Sequence, residues 1–137
     1  MADQLQFELV SPEALIFNKP VALVTVPGGE GDFGVLPGHA PLIATVRPGV
    51  IDVYEQEDGT VSERIFVAGG FAEVTGERCT VLADEVIPVA QLDRVKIQQA
   101  ATDLGEDLLL AKTDAERAAI EAKLAVTQAK LQALAAA

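Results

Sequence analysis

Leu5, Phe7 and Leu9 alternate with Gln4, Gln6 and Glu8, the two-residue period of a strand with one face buried and one in water. Ser11-Pro12-Glu13 interrupts it, Ala14-Leu15-Ile16-Phe17 is a short apolar run, and Asn18-Lys19-Pro20 predicts another turn. Residues 21–26 are rich in β-branched side chains and predict a strand. Further strands are predicted over residues 42–46, 50–55, 60–68, 71–75 and 79–83. Turn chemistry separates them: Arg47-Pro48-Gly49, the Asp58-Gly59 hairpin signal, Gly69-Gly70 and Gly76-Glu77-Arg78. Short strands at this spacing, with no helical period before Pro88, indicate an antiparallel β-sandwich or flattened barrel.

After Pro88 the period changes. Ile97, Ala101, Leu104, Leu108 and Ala111 step by four and three, as one face of a helix does. Thr113-Asp114-Ala115-Glu116 has the form of a capping box, and Ile120, Leu124, Thr127, Leu131 and Leu134 then resume the stepping. Two such stripes joined by a short turn make an antiparallel helical hairpin. The fold class is therefore β + α, with a sandwich over residues 1–87 and a two-helix hairpin over residues 88–137. Gly105 interrupts the first helix at a cost of about 1 kcal/mol against alanine. Ala135-Ala136-Ala137 is expected to fray.

Residues 28–42 fit neither period. They hold Gly28, Gly29, Gly31, Gly34 and Gly38, the prolines Pro37 and Pro41, and the chain's only histidine, His39. Such density of glycine and proline imposes one backbone path, for which Val35-Leu36 and Ala40-Pro41-Leu42 are the expected apolar anchors. Glu30 and Asp32 fall where the turn should be most exposed. Two readings compete: a plain connection between strands, and a binding loop on a rigid scaffold.

Charge narrows the choice of partner. The net charge is −11, which argues against nucleic acid and anionic lipid, both of which need clustered Lys and Arg. The excess is concentrated up to Ile87, where only Lys19, Arg47, Arg64 and Arg78 oppose the acids; beyond it seven acids face six bases. Cys79 is the one cysteine, which excludes an internal disulfide and suits a reducing compartment. No signal peptide is legible, and no apolar run reaches the ~20 residues that span a bilayer.

Catalytic material is scarce. His39 has no second histidine, nucleophile or spaced acid motif to work with, so a loop-ordering or interface role is expected of it. Gly28-Gly29-Glu30-Gly31 lacks the lysine of a phosphate loop and precedes no helical pattern. The composition points to a binding module without catalytic residues, metal or cofactor.

Gly31-Asp32-Phe33-Gly34-Val35-Leu36-Pro37-Gly38-His39-Ala40-Pro41-Leu42, with Arg47-Pro48-Gly49, resembles the signature loop of the epsilon subunits of rotary F-type ATP synthases, whose mitochondrial counterpart is called delta. Phe66-Val67-Ala68-Gly69-Gly70-Phe71-Ala72-Glu73-Val74 and Thr80-Val81-Leu82-Ala83-Asp84 agree with the same family in the same order. The resemblance implies a non-catalytic central-stalk subunit that couples rotation of the c-subunit ring to ATP synthesis. The sandwich would clamp the gamma shaft. Carried over to this sequence, the ring contact falls on Glu30, Gly31, Asp32, Phe33 and His39, supported by Pro37, Ala40, Pro41 and Leu42. The expected location is the cytoplasmic face of a bacterial inner membrane, reached through partners and without direct membrane insertion.

In some members the hairpin extends to the alpha/beta catalytic head and inhibits hydrolysis, using basic residues of the second helix. Here Arg117, Lys123 and Lys130 are offset by Asp114, Glu116 and Glu121, so at most weak inhibition is expected. Some members bind ATP through Ile/Leu-Asp-x-x-Arg-Ala. This chain has Leu92, Asp93 and Lys96 at the matching places, with Lys for Arg and Ile97 for Ala, so ATP sensing is expected to be weak or absent. A regulatory subunit that inhibits hydrolysis and senses ATP is the alternative.

Overall fold

The computed structural model describes residues 4–136. The chain divides into two units, Met1–Pro88 and Val89–Ala137.

In the first unit the alternation of Leu5, Phe7 and Leu9 becomes strand β1, Leu5–Val10, with those three side chains fully buried. It is followed by β2 (Leu15–Val21), β3 (Leu23–Gly28), β4 (Gly31–Val35), β5 (Leu42–Val46) and β6 (Gly49–Tyr54). Then come β7 (Glu63–Val67), β8 (Gly70–Val74), β9 (Arg78–Ala83) and β10 (Val86–Pro88). They form one curled sheet in the order β10-β7-β6-β3-β5-β8-β9-β1-β2, with β4 on β3. Every pairing is antiparallel except β1 with β9, which is parallel with Phe7 opposite Cys79.

Curling closes the inner face on a core of small and branched residues, with Phe7 the largest. Phe17 meets Phe7 at 5.3 Å between ring centroids, tilted by 51°. That tilt suits aromatic quadrupoles better than a face-to-face stack. The scarcity of aromatics is thus met by valines from almost every strand rather than by a few large anchors.

Three sequence expectations are corrected here. Asn18-Lys19-Pro20 makes no turn: these residues continue β2, with Gln6 opposite Pro20 and Phe7 opposite Lys19. Proline is tolerated because β2 ends the sheet and pairs only with β1, leaving its missing N–H no ladder bond to break. The chain turns at Ala22 instead, whose N–H donates to Tyr54 O at 2.8 Å. Lys19 lies 5.0 Å from the Phe17 ring centre and 2.8 Å from Glu55, and this hydrogen bond holds the Glu55 carboxyl below its ordinary value. Second, residues 28–42 are not one loop, since β4 pairs along β3 from Val24–Val35 to Gly28–Gly31. Third, Val86–Pro88 adds a short strand on β7, with Pro88 opposite Ile65.

The second unit opens with a single 3-10 turn, Val89–Gln91, and continues as α1 (Arg94–Leu110) and α2 (Asp114–Ala135). Every position of the expected stripes is buried or half-buried, Ile97 and Thr127 the most enclosed among them, and Ala133, outside the stripe, is buried as well. Thr113 caps α2 by accepting the Glu116 N–H at 3.0 Å. Glu116 reaches back to the N–H of Lys112 at 3.2 Å, one residue before the cap. Gly105 lies inside α1 with open space around a built Cβ, so its cost is one of backbone entropy and not of packing. At the far end the Ala136 N–H still bonds Gln132 O at 3.1 Å, so α2 holds to that point; Ala137 lies outside the described residues.

Candidate interaction site

The β3–β4 hairpin closes through Gly29-Glu30, with Gly28 opposite Gly31. A Cβ on Gly28 would come within 2.6 Å of Gly31 O and 2.9 Å of the Phe33 ring. Glycine is required there by the closeness of the opposing strand. Phe33 is half-buried and packs against the core cluster, so it anchors the tip as well as lining it.

Arg47 completes the tip from the end of β5. Its N–H donates to Pro27 O at 2.9 Å, and its guanidinium reaches Gly28 O at 2.6 Å and the Asp32 carboxylate at 2.5 Å. The Gly29 N–H also donates to Thr45 O at 2.9 Å. The Arg47–Asp32 pair is 44% and 63% exposed, so as an ion pair it contributes under about 1 kcal/mol; its consequence is geometric. Glu30 is exposed and has no ion pair among the described residues. Residues 28–33 and 42–45 together line a groove of about 490 Å³.

His39 is not part of this tip. It lies beyond Val35, at the other end of β4, which at about 3.3 Å per residue separates the two by roughly 13 Å. There the Gly38 N–H donates to Gly76 O at 2.7 Å, and His39 Nδ1 donates to Ala40 O at 2.7 Å. The imidazole orders its own loop. Pro37 is half-buried and Val35 fully buried, whereas Leu36, Ala40, Pro41 and Leu42 are exposed. Of the expected anchors Val35 alone is buried, because the alternation along β4 turns its side chain inward; the expectation that Leu36, Ala40, Pro41 and Leu42 anchor the loop is corrected, since all four are exposed.

A second surface was not foreseen in the sequence. Ladder partners share a face, and the registers place Thr45, Phe71, Leu82, Val10 and Leu15 in one row across β5, β8, β9, β1 and β2. Ala72, Val81 and Leu9 alternate with them and are buried, so this row faces outward. Phe71 is 57%, Leu82 54% and Leu15 55% exposed, with Ile43 nearby on β5 at 73%. Strand alternation carries the signal for Phe71 and Leu82, whereas Leu15 joins the row through a register shift at Leu9/Val10, and sequence alone does not tell which outward residues share a row.

Cys79 is buried, which pushes its thiol up to about 12 and keeps it un-ionised at neutral pH. Among the described residues no group of His, Cys, Asp and Glu is placed to hold a metal ion. Every buried side-chain polar atom described is hydrogen-bonded, so no orphan donor points at a missing ligand.

Residues 4–89 match the family model for the beta-sandwich domain of the ATP synthase delta/epsilon chain, and residues 93–137 match that for the C-terminal domain of the ATP synthase epsilon chain. The protein belongs to the ATP synthase delta/epsilon family. The Rhodospirillum centenum protein named ATP synthase epsilon chain is 58% identical over 98% of this sequence and 94% of its own length. Its namesake in Rhodospirillum rubrum is 50% identical over 97% of this sequence and 98% of its own. Among solved structures, a subunit of the Euglena gracilis mitochondrial ATP synthase OSCP/F1/c-ring assembly superposes with a TM-score of 0.83 at 26% identity. That superposition covers 96% of this protein and 82% of the Euglena one.

The residues at the family's ATP motif have local roles here. Asp93 caps α1, its carboxylate accepting the Lys96 N–H at 3.2 Å. Ile97, where the motif has alanine, is a buried position of α1, while Leu92 is half-buried and the Lys96 side chain is exposed.

Proposed function

We propose that the protein is a non-catalytic rotor subunit of a proton-translocating rotary ATP synthase, carried on the central stalk and contacting the ring of c subunits. The observation that carries this reading is the match of both halves of the sequence to the two domains of one family, with relatives named ATP synthase epsilon chain over their whole length. The ring contact is assigned to the hairpin tip, through Glu30, Gly31, Asp32 and Phe33. His39, with Pro37 and Gly38, orders the loop at the opposite end of β4.

The gamma subunit is assigned to the outward apolar row of Phe71, Leu82, Val10 and Leu15. An apolar surface of this kind is a site for a protein partner. The acidic surface disfavours a lipid headgroup or a second copy of the protein. Location follows from the assembly: peripheral, on the cytoplasmic face of a bacterial inner membrane. No helix among the described residues is long and apolar enough to cross a membrane.

The hairpin is read as a strut with at most weak inhibitory action. On α2, Arg117 is paired with Asp114 at 3.3 Å, one turn apart, and the remaining bases are balanced by acids. With Asp93 engaged in capping and lysine in place of arginine, ATP sensing is not expected either. The test is ATP hydrolysis by the reconstituted catalytic head with gamma, comparing the full-length protein with one ending at Pro88, which keeps β10. Removing the hairpin should change the rate by less than about twofold, as expected where exposed, balanced charges contribute little. A rise of several-fold would instead establish the inhibitory reading.

A further inference from the structure

We propose that the outer face of β3 and β6 carries a second site, a groove that binds a small organic cation, its apolar body against Leu23, Leu36 and Pro37 and its ammonium group at Glu57. This goes beyond the rotor reading and does not depend on it. The groove encloses about 590 Å³ between the end of β4 and the connection from β6 to β7. Its place follows from register. Val24 stands opposite Val35 on one side and Val53 on the other, and all three are fully buried. Leu23 and Tyr54, opposite each other one step along, therefore turn outward. Leu36, just past the end of β4, turns out with them and is 57% exposed. Gln56 and Glu57 complete the wall.

A volume of this size suits a small ligand, and the lining is apolar over its floor with a few polar groups at the edge, as such sites are. The row of Phe71 and Leu82 lies on open sheet, whereas this groove stands between two ordered turns. On one side the Thr60 N–H donates to the Asp58 carboxylate at 2.9 Å and the Ser62 N–H to Val53 O at 2.8 Å. On the other the Gly38 N–H donates to Gly76 O at 2.7 Å and the His39 N–H to Leu36 O at 3.1 Å. Walls set before binding lower its ordering cost. Charge then selects the ligand. Bases on the adjoining strands are already engaged, Lys19 by Glu55 at 2.8 Å and Arg64 by Asp52 at 3.3 Å. Glu57 is exposed in the groove wall, and its carboxylate has no ion pair or hydrogen bond among the described residues. The Tyr54 hydroxyl and the Gln56 amide are likewise without a partner there. The groove thus sets one anionic acceptor beside an apolar floor, and no Lys, Arg or His lines it to receive an anion.

The experiment titrates the full-length, nitrogen-15-labelled protein with two probes of equal size, the 2-phenylethylammonium ion and neutral 2-phenylethanol, and follows the backbone amide resonances. The ammonium should bind at about millimolar concentration, as expected of so few ligand atoms, and should move the resonances of residues 23, 36 and 54–59 together. Glu57→Gln should weaken it about two- to fivefold, the worth of one exposed charge contact, and bring ammonium and alcohol to equal affinity. Leu36→Ser should weaken both probes alike. Glu13→Gln removes an exposed acid between β1 and β2, changes the net charge equally, and should leave binding as it was. The proposal is overturned if the ammonium moves no groove resonance, or if the alcohol binds the unaltered protein as well as the ammonium does. It is overturned too if Glu13→Gln weakens binding as much as Glu57→Gln. Release of the ammonium on adding purified gamma subunit would assign the groove to a protein partner and would also overturn it.

Discussion

Replacing Gly70 by alanine should cost the sandwich several kcal/mol and leave it barely folded at room temperature. Gly70 opens β8 at φ +142°, a backbone region that disfavours any side chain, and a Cβ there would stand 1.8 Å from Leu82 O and 2.9 Å from Leu82 C. Both are backbone atoms of the neighbouring strand, so no rotamer change relieves the clash. β8 and β9 would have to part, and between them they supply Ala72, Val74, Cys79, Val81 and Ala83 to the core. Strain and overpacking together amount to about 3–5 kcal/mol, against a typical domain stability of roughly 5–15 kcal/mol. Urea titration followed by circular dichroism measures this directly. Gly34→Ala is the control, since its Cβ would only touch Leu23 Cδ1 at 3.5 Å. Equal midpoints for the two variants would show that the approach of β9 does not require glycine at residue 70.

The second large effect falls on assembly. With Phe71 and Leu82 both changed to serine, the affinity for purified gamma subunit should fall at least about tenfold, since buried aromatic anchors dominate interface energetics. Stability should hardly move, because both side chains face outward and are more than half exposed. Surface plasmon resonance and a thermal melt of the same sample separate the two outcomes. Unaltered affinity with an unaltered melt would move the stalk contact off this face.

The periodic parts of the sequence were the legible ones. Helix stepping is local, so Ile97 through Ala111 and Ile120 through Leu134 identified α1 and α2 unaided, and Thr113 with Glu116 marked the start of the second. Strand alternation likewise found β1, β5, β6, β8 and β9. What escaped depended on neighbours distant in sequence. Pro20 reads as a break until β2 is known to lie at the end of the sheet. The glycines of β4 read as loop until β3 is seen to pair with them.

The candidate site divides in the same way. Glu30, Gly31, Asp32 and Phe33 were legible as a group because they are consecutive. His39 was grouped with them by the family resemblance, and β4 places it at the other end of the strand from the hairpin turn. Arg47 stood inside a recognised turn motif, yet its role depends on the return of β5 to Gly28. The apolar row on the outer face needs the registers of several strands at once, which no single stretch contains.

The central claim is that this protein couples rotation to catalysis without chemistry of its own. ATP-driven proton pumping tests it most directly, in liposomes holding the ATP synthase depleted of this subunit, with hydrolysis and internal acidification recorded together. Adding the full-length protein should raise the acidification obtained per ATP hydrolysed, and the protein alone should hydrolyse none. Adding the variant with both Phe71→Ser and Leu82→Ser should leave the depleted enzyme as it was. A ratio of pumping to hydrolysis that stays the same with and without the unaltered protein would contradict the account.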